Sequence, residues 1–158
     1  MNDKRGFSLI ELLIVVAIIL LIAAIAVPSY LRARIAANEA SAVAAVRTLN
    51  TAQISYNSAY PTVGYSATLT ALGGTSCSPP DPSSACLIDT VLAGGLRNGY
   101  LYTMTNVTGT PHATYSVIAT PSMPNASGIR YFCSFEDGVV RFSMSSLSSC
   151  DNTLSPAQ

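Results

Sequence analysis

Residues 12–27 are sixteen consecutive apolar side chains, and Phe7, Leu9 and Ile10 extend the run to 21 positions broken only by Ser8 and Glu11. At about 1.5 Å per helical residue the run reaches roughly 31 Å, enough to cross the hydrocarbon core of a bilayer. Such a segment must be covered by lipid or by other chains, because a soluble surface does not carry apolar area on this scale. The excess is local. Between residues 7 and 46, 31 of 40 side chains are apolar, against 46 of 112 from residue 47 onward, which is ordinary for a soluble domain. Charge narrows the field further: 8 Lys+Arg balance 8 Asp+Glu in 158 residues. So low a charged fraction excludes a disordered polyelectrolyte, and the zero balance removes the basic footprint of a dedicated nucleic-acid binder.

A cleaved secretory signal is the competing reading of this N-terminus. Lys4 and Arg5 form a basic start, and Ala24-Ile25-Ala26 fits the small-x-small cleavage pattern, which would leave Val27 as the first residue. Three features argue for retention instead. The apolar run exceeds the usual length of about 7–15 residues. Glu11 sits inside it, where an acid costs about 2.5–3.5 kcal/mol at mid-helix and less toward the end. The helical pattern also continues past Ala26.

The stretch Gly6-Phe7-Ser8-Leu9-Ile10-Glu11-Leu12, then Leu13-Ile14-Val15-Val16-Ala17-Ile18 and Pro28, resembles the N-terminus of type IV pilins and their pseudopilin relatives over about residues 5–60. The resemblance implies cleavage between Gly6 and Phe7 by a prepilin peptidase, methylation of the new Phe7 amine, and retention of the helix. Its short leader is similar to that of the type IVa class. The physical reading agrees in kind. Lys4 and Arg5 hold the N-terminus on the cytoplasmic side, and Gly6, lacking a side chain, admits a protease to the backbone. Cleavage creates a cationic amine four residues from Glu11, and a carboxylate among aliphatic side chains needs such a partner. With helices packed side by side, the Phe7 amine of one subunit can pair with Glu11 of a neighbour. Glu11 then specifies assembly and is not a catalytic acid.

Pro28 removes one helical hydrogen bond and disfavours helical geometry at Val27, so a kink or an unwound stretch is expected around residues 20–29. Beyond it, Ile35, Ala42, Val46, Leu49 and Tyr56 recur at helical spacing, with Arg32, Arg34, Glu39 and Arg47 on other faces. A helix of 53 residues from Phe7 to Ala59 is expected, its first half projecting and its second lying on a sheet. Tyr60-Pro61 ends it. A loop region with Gly73-Gly74, Pro79-Pro80-Asp81-Pro82 and Gly94-Gly95 follows, with short helices expected near 67–72 and 85–92. Strand-like runs occupy 100–106, 114–119, 129–135 and 139–144, the last two joined through Asp137-Gly138. The fold class is therefore α+β, one long helix on a four-stranded antiparallel sheet, which the resemblance also implies. The expected segments are a leader at 1–6, an apolar assembly helix at 7–30, its amphipathic half at 31–59, a loop region at 60–99, and a sheet with a C-terminal region at 100–158.

Four cysteines allow three pairings, and an exported chain with an even count is expected to form bridges. Proximity in sequence favours Cys77–Cys86 and Cys133–Cys150, the second similar to the disulfide-bounded region of many type IV pilins. Neither a Cys-x-x-Cys pair nor a second histidine offers a zinc site. His112 stands alone beside Pro111, a loop histidine with no nucleophile near it in sequence. Pseudopilins of the family carry calcium near the C-terminal loops; Glu136, Asp137 and Asp151 are the acids here, at a spacing unlike an EF-hand loop. Asn106-Val107-Thr108 and Asn125-Ala126-Ser127 match glycosylation sequons. Phe7, Tyr30, Tyr56 and Tyr60 invite a conduction path along the helix, but packing explains them more simply.

No catalytic constellation, cofactor motif or nucleic-acid site is evident. The resemblance implies a structural subunit, the main protein of a type IV pilus: a single-pass inner-membrane prepilin that polymerises into an extracellular fimbrium for attachment, twitching motility and DNA uptake. The partners it implies are copies of the chain, the peptidase, an assembly platform with motor ATPases, and a secretin. The alternative is a major pseudopilin forming a periplasmic piston for type II secretion.

Overall fold

In a computed structural model the described residues are 7–74 and 77–157. Helix α1 spans Leu9–Ala59, and its residues fall into two units divided between Arg34 and Ile35. Leu and Ala have high helix propensity and favour this helix, which also accommodates the β-branched Ile and Val of the apolar run. Pro61 ends it by restricting Tyr60, whose amide still donates to the Tyr56 carbonyl at 2.9 Å. Within the first unit the helix runs through Pro28, and residues 20–29 stay helical instead of unwinding. Proline lacks an amide hydrogen, so the turn forgoes one bond while the flanking turns keep theirs.

In the second unit, α1 buries Ala42, Ala45, Val46, Leu49, Ala52, Gln53 and Tyr56. These positions recur every three or four residues and so form one face. They pack on Tyr100, Tyr102, Tyr115, Val117, Ala119, Phe132 and Val140 from the sheet. Glu39 corrects the sequence reading, since it lies on the buried face at 6% exposure. Its carboxylate is fully partnered there, which makes the burial tolerable.

The sheet has six strands in place of four: β1 Leu96–Arg97, β2 Tyr100–Gly109, β3 His112–Pro121, β4 Tyr131–Phe135, β5 Arg141–Ser143 and β6 Ser155–Pro156, in spatial order 1 to 6 with antiparallel neighbours. The two additional strands are pairs of residues, too short to show a period of two. Asn98 and Gly99, with φ of +47° and +74°, turn β1 into β2, and Asn-Gly is the residue pair such a two-residue hairpin requires. β2 and β3 outrun their sequence patterns because they continue pairing past irregularities between Thr105 and Gly109. Gly138, at φ +72°, closes the β4–β5 turn by donating to the Phe135 carbonyl at 2.8 Å.

Two short helices lie between α1 and β1: α2 Leu69–Leu72, capped by Thr68, and α3 Thr90–Ala93, capped by Asp89. α3 covers only the end of the expected 85–92 segment. Buried Gln53 holds the loop, its amide bonding both the N–H and the carbonyl of Ser66 at 2.8 and 2.9 Å. Gly64 brings the same loop against His112, where a Cβ would stand 2.2 Å from the His112 carbonyl oxygen. Disulfides join Cys77 to Cys86 and Cys133 to Cys150. Closing the shorter loop stabilises the head by about 2–3 kcal/mol in the entropic account. A Cys77→Ser, Cys86→Ser double variant should therefore lower the thermal unfolding midpoint by several degrees, read by circular dichroism.

Candidate functional site

Ser8 precedes the first helical residue and Glu11 is the third residue of the helix. Oε2 of Glu11 accepts a hydrogen bond from the Ser8 N–H at 2.8 Å. This is the reciprocal half of a capping box, in which an acid three residues past a Ser cap satisfies an otherwise unpaired helix-start amide. The pattern Ser-x-x-Glu was visible in the sequence, and the reading of Glu11 as an assembly acid passed over it. Oε1 of Glu11 has no partner among the described residues, so one side of the carboxylate remains available. Phe7, 76% exposed, flanks it.

From this cap the helix presents apolar side chains to every side. None of its most apolar 18 residues is buried. Phe7, Leu9, Ile10, Leu12, Leu13 and Ile14 are all more than half exposed. The helix is long and apolar enough to cross a membrane. One acid, held at the helix start beside Phe7, is the sole charged side chain on residues 7–31.

Residues 1–27 match the family described as the prokaryotic N-terminal methylation motif. The chain carries the type IV prepilin signature. No curated protein and no solved structure matches it. The prepilin signature and the exposed apolar helix fit a membrane-anchored precursor that polymerises. Gly6, Lys4 and Arg5, in the segment expected to be a leader, lie outside the described residues.

The other candidates are dispersed over the head. Asp137 is held by Arg141 at 2.6 Å and accepts from the Val139 N–H. Asp151 caps the turn at Thr153, and Glu136 shares a cleft of about 450 Å³ with it. Among the described residues no three His, Cys, Asp or Glu side chains are grouped to hold a metal ion. His112 binds the Tyr65 carbonyl through Nδ1 at 2.8 Å. Of the aromatic residues read along the helix, Tyr56 and, just past the helix end, Tyr60 have ring centroids 4.9 Å apart, and the Tyr56 hydroxyl tethers the loop by donating to the Pro82 carbonyl. Asn106 and Asn125 are exposed, each at positive φ.

The sequence reading missed two buried polar centres. Glu39 accepts from the Ile129 and Arg130 N–H groups at 2.9 and 3.0 Å and from Arg130 Nε at 2.7 Å. Asn50 donates to Ser134 Oγ and to the Gly138 carbonyl and accepts from the Tyr115 hydroxyl, tying α1 to the β4–β5 turn. Both, like Gln53, interrupt a mostly apolar stripe, and that interruption was the available signal. Buried Tyr102, whose hydroxyl finds no partner among the described residues, has its ionisation pushed up to about 12 by burial and stays neutral.

Proposed function

We propose that this chain is the major structural subunit of a type IV pilus, kept in the inner membrane as a prepilin and polymerised through its N-terminal helix. The observation that supports this is a methylation motif set on a helix whose apolar surface is uncovered, joined to a head with its own core. A helix that is apolar all round belongs in lipid or among other helices. Loss of the leader after Gly6 would give an amine at Phe7, and packing of many copies would cover the apolar side chains while pairing each amine with a Glu11. Surface attachment, twitching motility and DNA uptake are the roles that go with such a filament. The peptidase, platform, motor ATPases and secretin are the partners it would need.

Two bridged loops and a long loop region between helix and sheet favour the pilus over a short type II secretion pseudopilus. Mass spectrometry of the mature chain should find an N-methylated Phe7 as the first residue, and filaments sheared from cells should contain the chain. A start at Val27 would instead make it a secreted protein. A periplasmic location with a secretion defect on deletion would favour the pseudopilin.

A further inference from the structure

We propose that heads of this chain join head to tail by charge, the groove beside Arg47 on one copy receiving the acidic cleft at Glu136 and Asp151 of the next. The inference rests on the filament reading and adds the surfaces by which heads recognise one another. Three ion pairs are formed among the described residues: Arg97–Asp89, Arg130–Glu39 and Arg141–Asp137. In the head they leave Arg47 without an acid, and Asp81, Glu136 and Asp151 without a bonded arginine. The unmatched charges of opposite sign lie in different places.

Arg47 lines a groove of about 240 Å³ together with Ala36, Glu39, Ala40, Val43 and Arg130. Residues 36, 40, 43 and 47 form one helical stripe of mostly small side chains, which lets another surface come close. Arg130 uses only Nε on Glu39, and its two terminal nitrogens have no hydrogen bond among the described residues. Its guanidinium lies over the Phe132 and Phe142 rings at 5.4 and 5.6 Å, which fixes the plane of the fork. With Glu39 neutralising one of the two arginines, the groove keeps one net positive charge and free donors suited to a carboxylate.

The acidic cleft lies on the other layer of the head. Phe132 packs toward α1 in the core, so Cys133, the next residue of β4, points to the opposite face. Its disulfide carries Cys150, Asp151 and the C-terminal segment there. Glu136 and Asp151 line this cleft. Asp137 and Arg141 beside it cancel each other, and the Asp151 carboxyl is held below its ordinary value first by the Thr153 hydroxyl and N–H and then by the Arg141 charge. The net charge of the four is −2. Complementary surfaces on opposite layers of one chain make a heterologous contact, and such contacts propagate as open helical arrays wherever the rotation between copies does not close a ring.

The test is charge exchange in the full chain, read as filament mass sheared from cells. Arg47→Glu alone, and Glu136→Arg with Asp151→Arg, should each lower the yield on the order of tenfold, because like charges then meet. Combining all three should bring it back to within about threefold of the natural chain. A combined variant no better than either parent, or a reversal with natural yield, overturns the contact. Natural filaments should also shorten under shear in about 1 M salt relative to about 0.1 M, where screening reaches within a few ångströms; unchanged length overturns the contact without any variant. Absence of filaments from the natural chain would overturn the filament reading itself, and this inference with it.

Discussion

Glu11→Ala should leave the chain in the membrane yet lower recovered filaments at least about tenfold, while Glu11→Gln separates the two tasks of this side chain. The geometry gives Glu11 a local task, accepting the Ser8 N–H at 2.8 Å at the start of α1. That bond belongs to a capping box, and a glutamine amide oxygen accepts it as well as a carboxylate does. The second task needs charge: one carboxylate oxygen is free among the described residues, and leader removal after Gly6 would supply a cationic amine at Phe7 on each neighbour. Opposite charges in a poorly solvated helix bundle attract strongly, and an unpaired one is expensive. Removing the acid eases membrane insertion, so the loss should appear only on assembly. If capping alone mattered, Glu11→Gln would assemble normally and Glu11→Ala would fail through a frayed start. If the amine is answered by charge, both fail. Measuring membrane-inserted subunit and sheared filament from the same cells distinguishes these outcomes.

The apolar run, Gly6-Phe7 and Glu11 could be read directly from the sequence because each signal is local. The helix–sheet pairing was legible for the same reason: Ala42, Val46, Leu49 and Tyr56 repeat at helical spacing, and β2 to β5 carry β-branched and aromatic runs. Edge strands β1 and β6 were not legible, since two-residue pairings are fixed by hydrogen bonds to Leu101 and Arg141's strand and leave no periodic pattern. Even so, Asn98-Gly99 marked the first of them. Glu39 was misplaced because charge argues for solvent, and only the backbone turn at Ile129 and Arg130, ninety residues away, provides what buries it. The unmatched charges around Arg47, Glu136 and Asp151 likewise emerge only once the three internal ion pairs are known. Side-chain pairing over long separations is the part a single sequence conceals.

Glu39→Ala should destabilise the head by about 3–4 kcal/mol, with a pH signature that identifies the cause. Burial pushes the Glu39 carboxyl up, but the Ile129 and Arg130 N–H groups and then the Arg130 guanidinium outweigh it, holding the group below its ordinary value near 4.5. A carboxyl depressed in the folded state contributes stability that is complete above its unfolded value and is lost as pH falls through the folded one. The clamp should therefore act fully above about pH 5 and fade progressively below about pH 4. Removal leaves two backbone donors at the β3–β4 connection without an acceptor and Arg130 without its counter-charge. Arg130 is about one-third exposed, so water recovers part of its loss, and the cost falls at the lower end of that for a broken buried pair. Glu39→Gln keeps an acceptor of the same shape and should lose less than Glu39→Ala. Asp89 and Asp137 are depressed too, by the Leu92 amide and by Arg141 respectively, so acid weakens every variant. The diagnostic quantity is the difference: the gap between the natural chain and Glu39→Gln in denaturant midpoint should be widest near neutrality and close as the solution is acidified toward about pH 3. A gap that stays constant across that range would show that Glu39 contributes through packing alone.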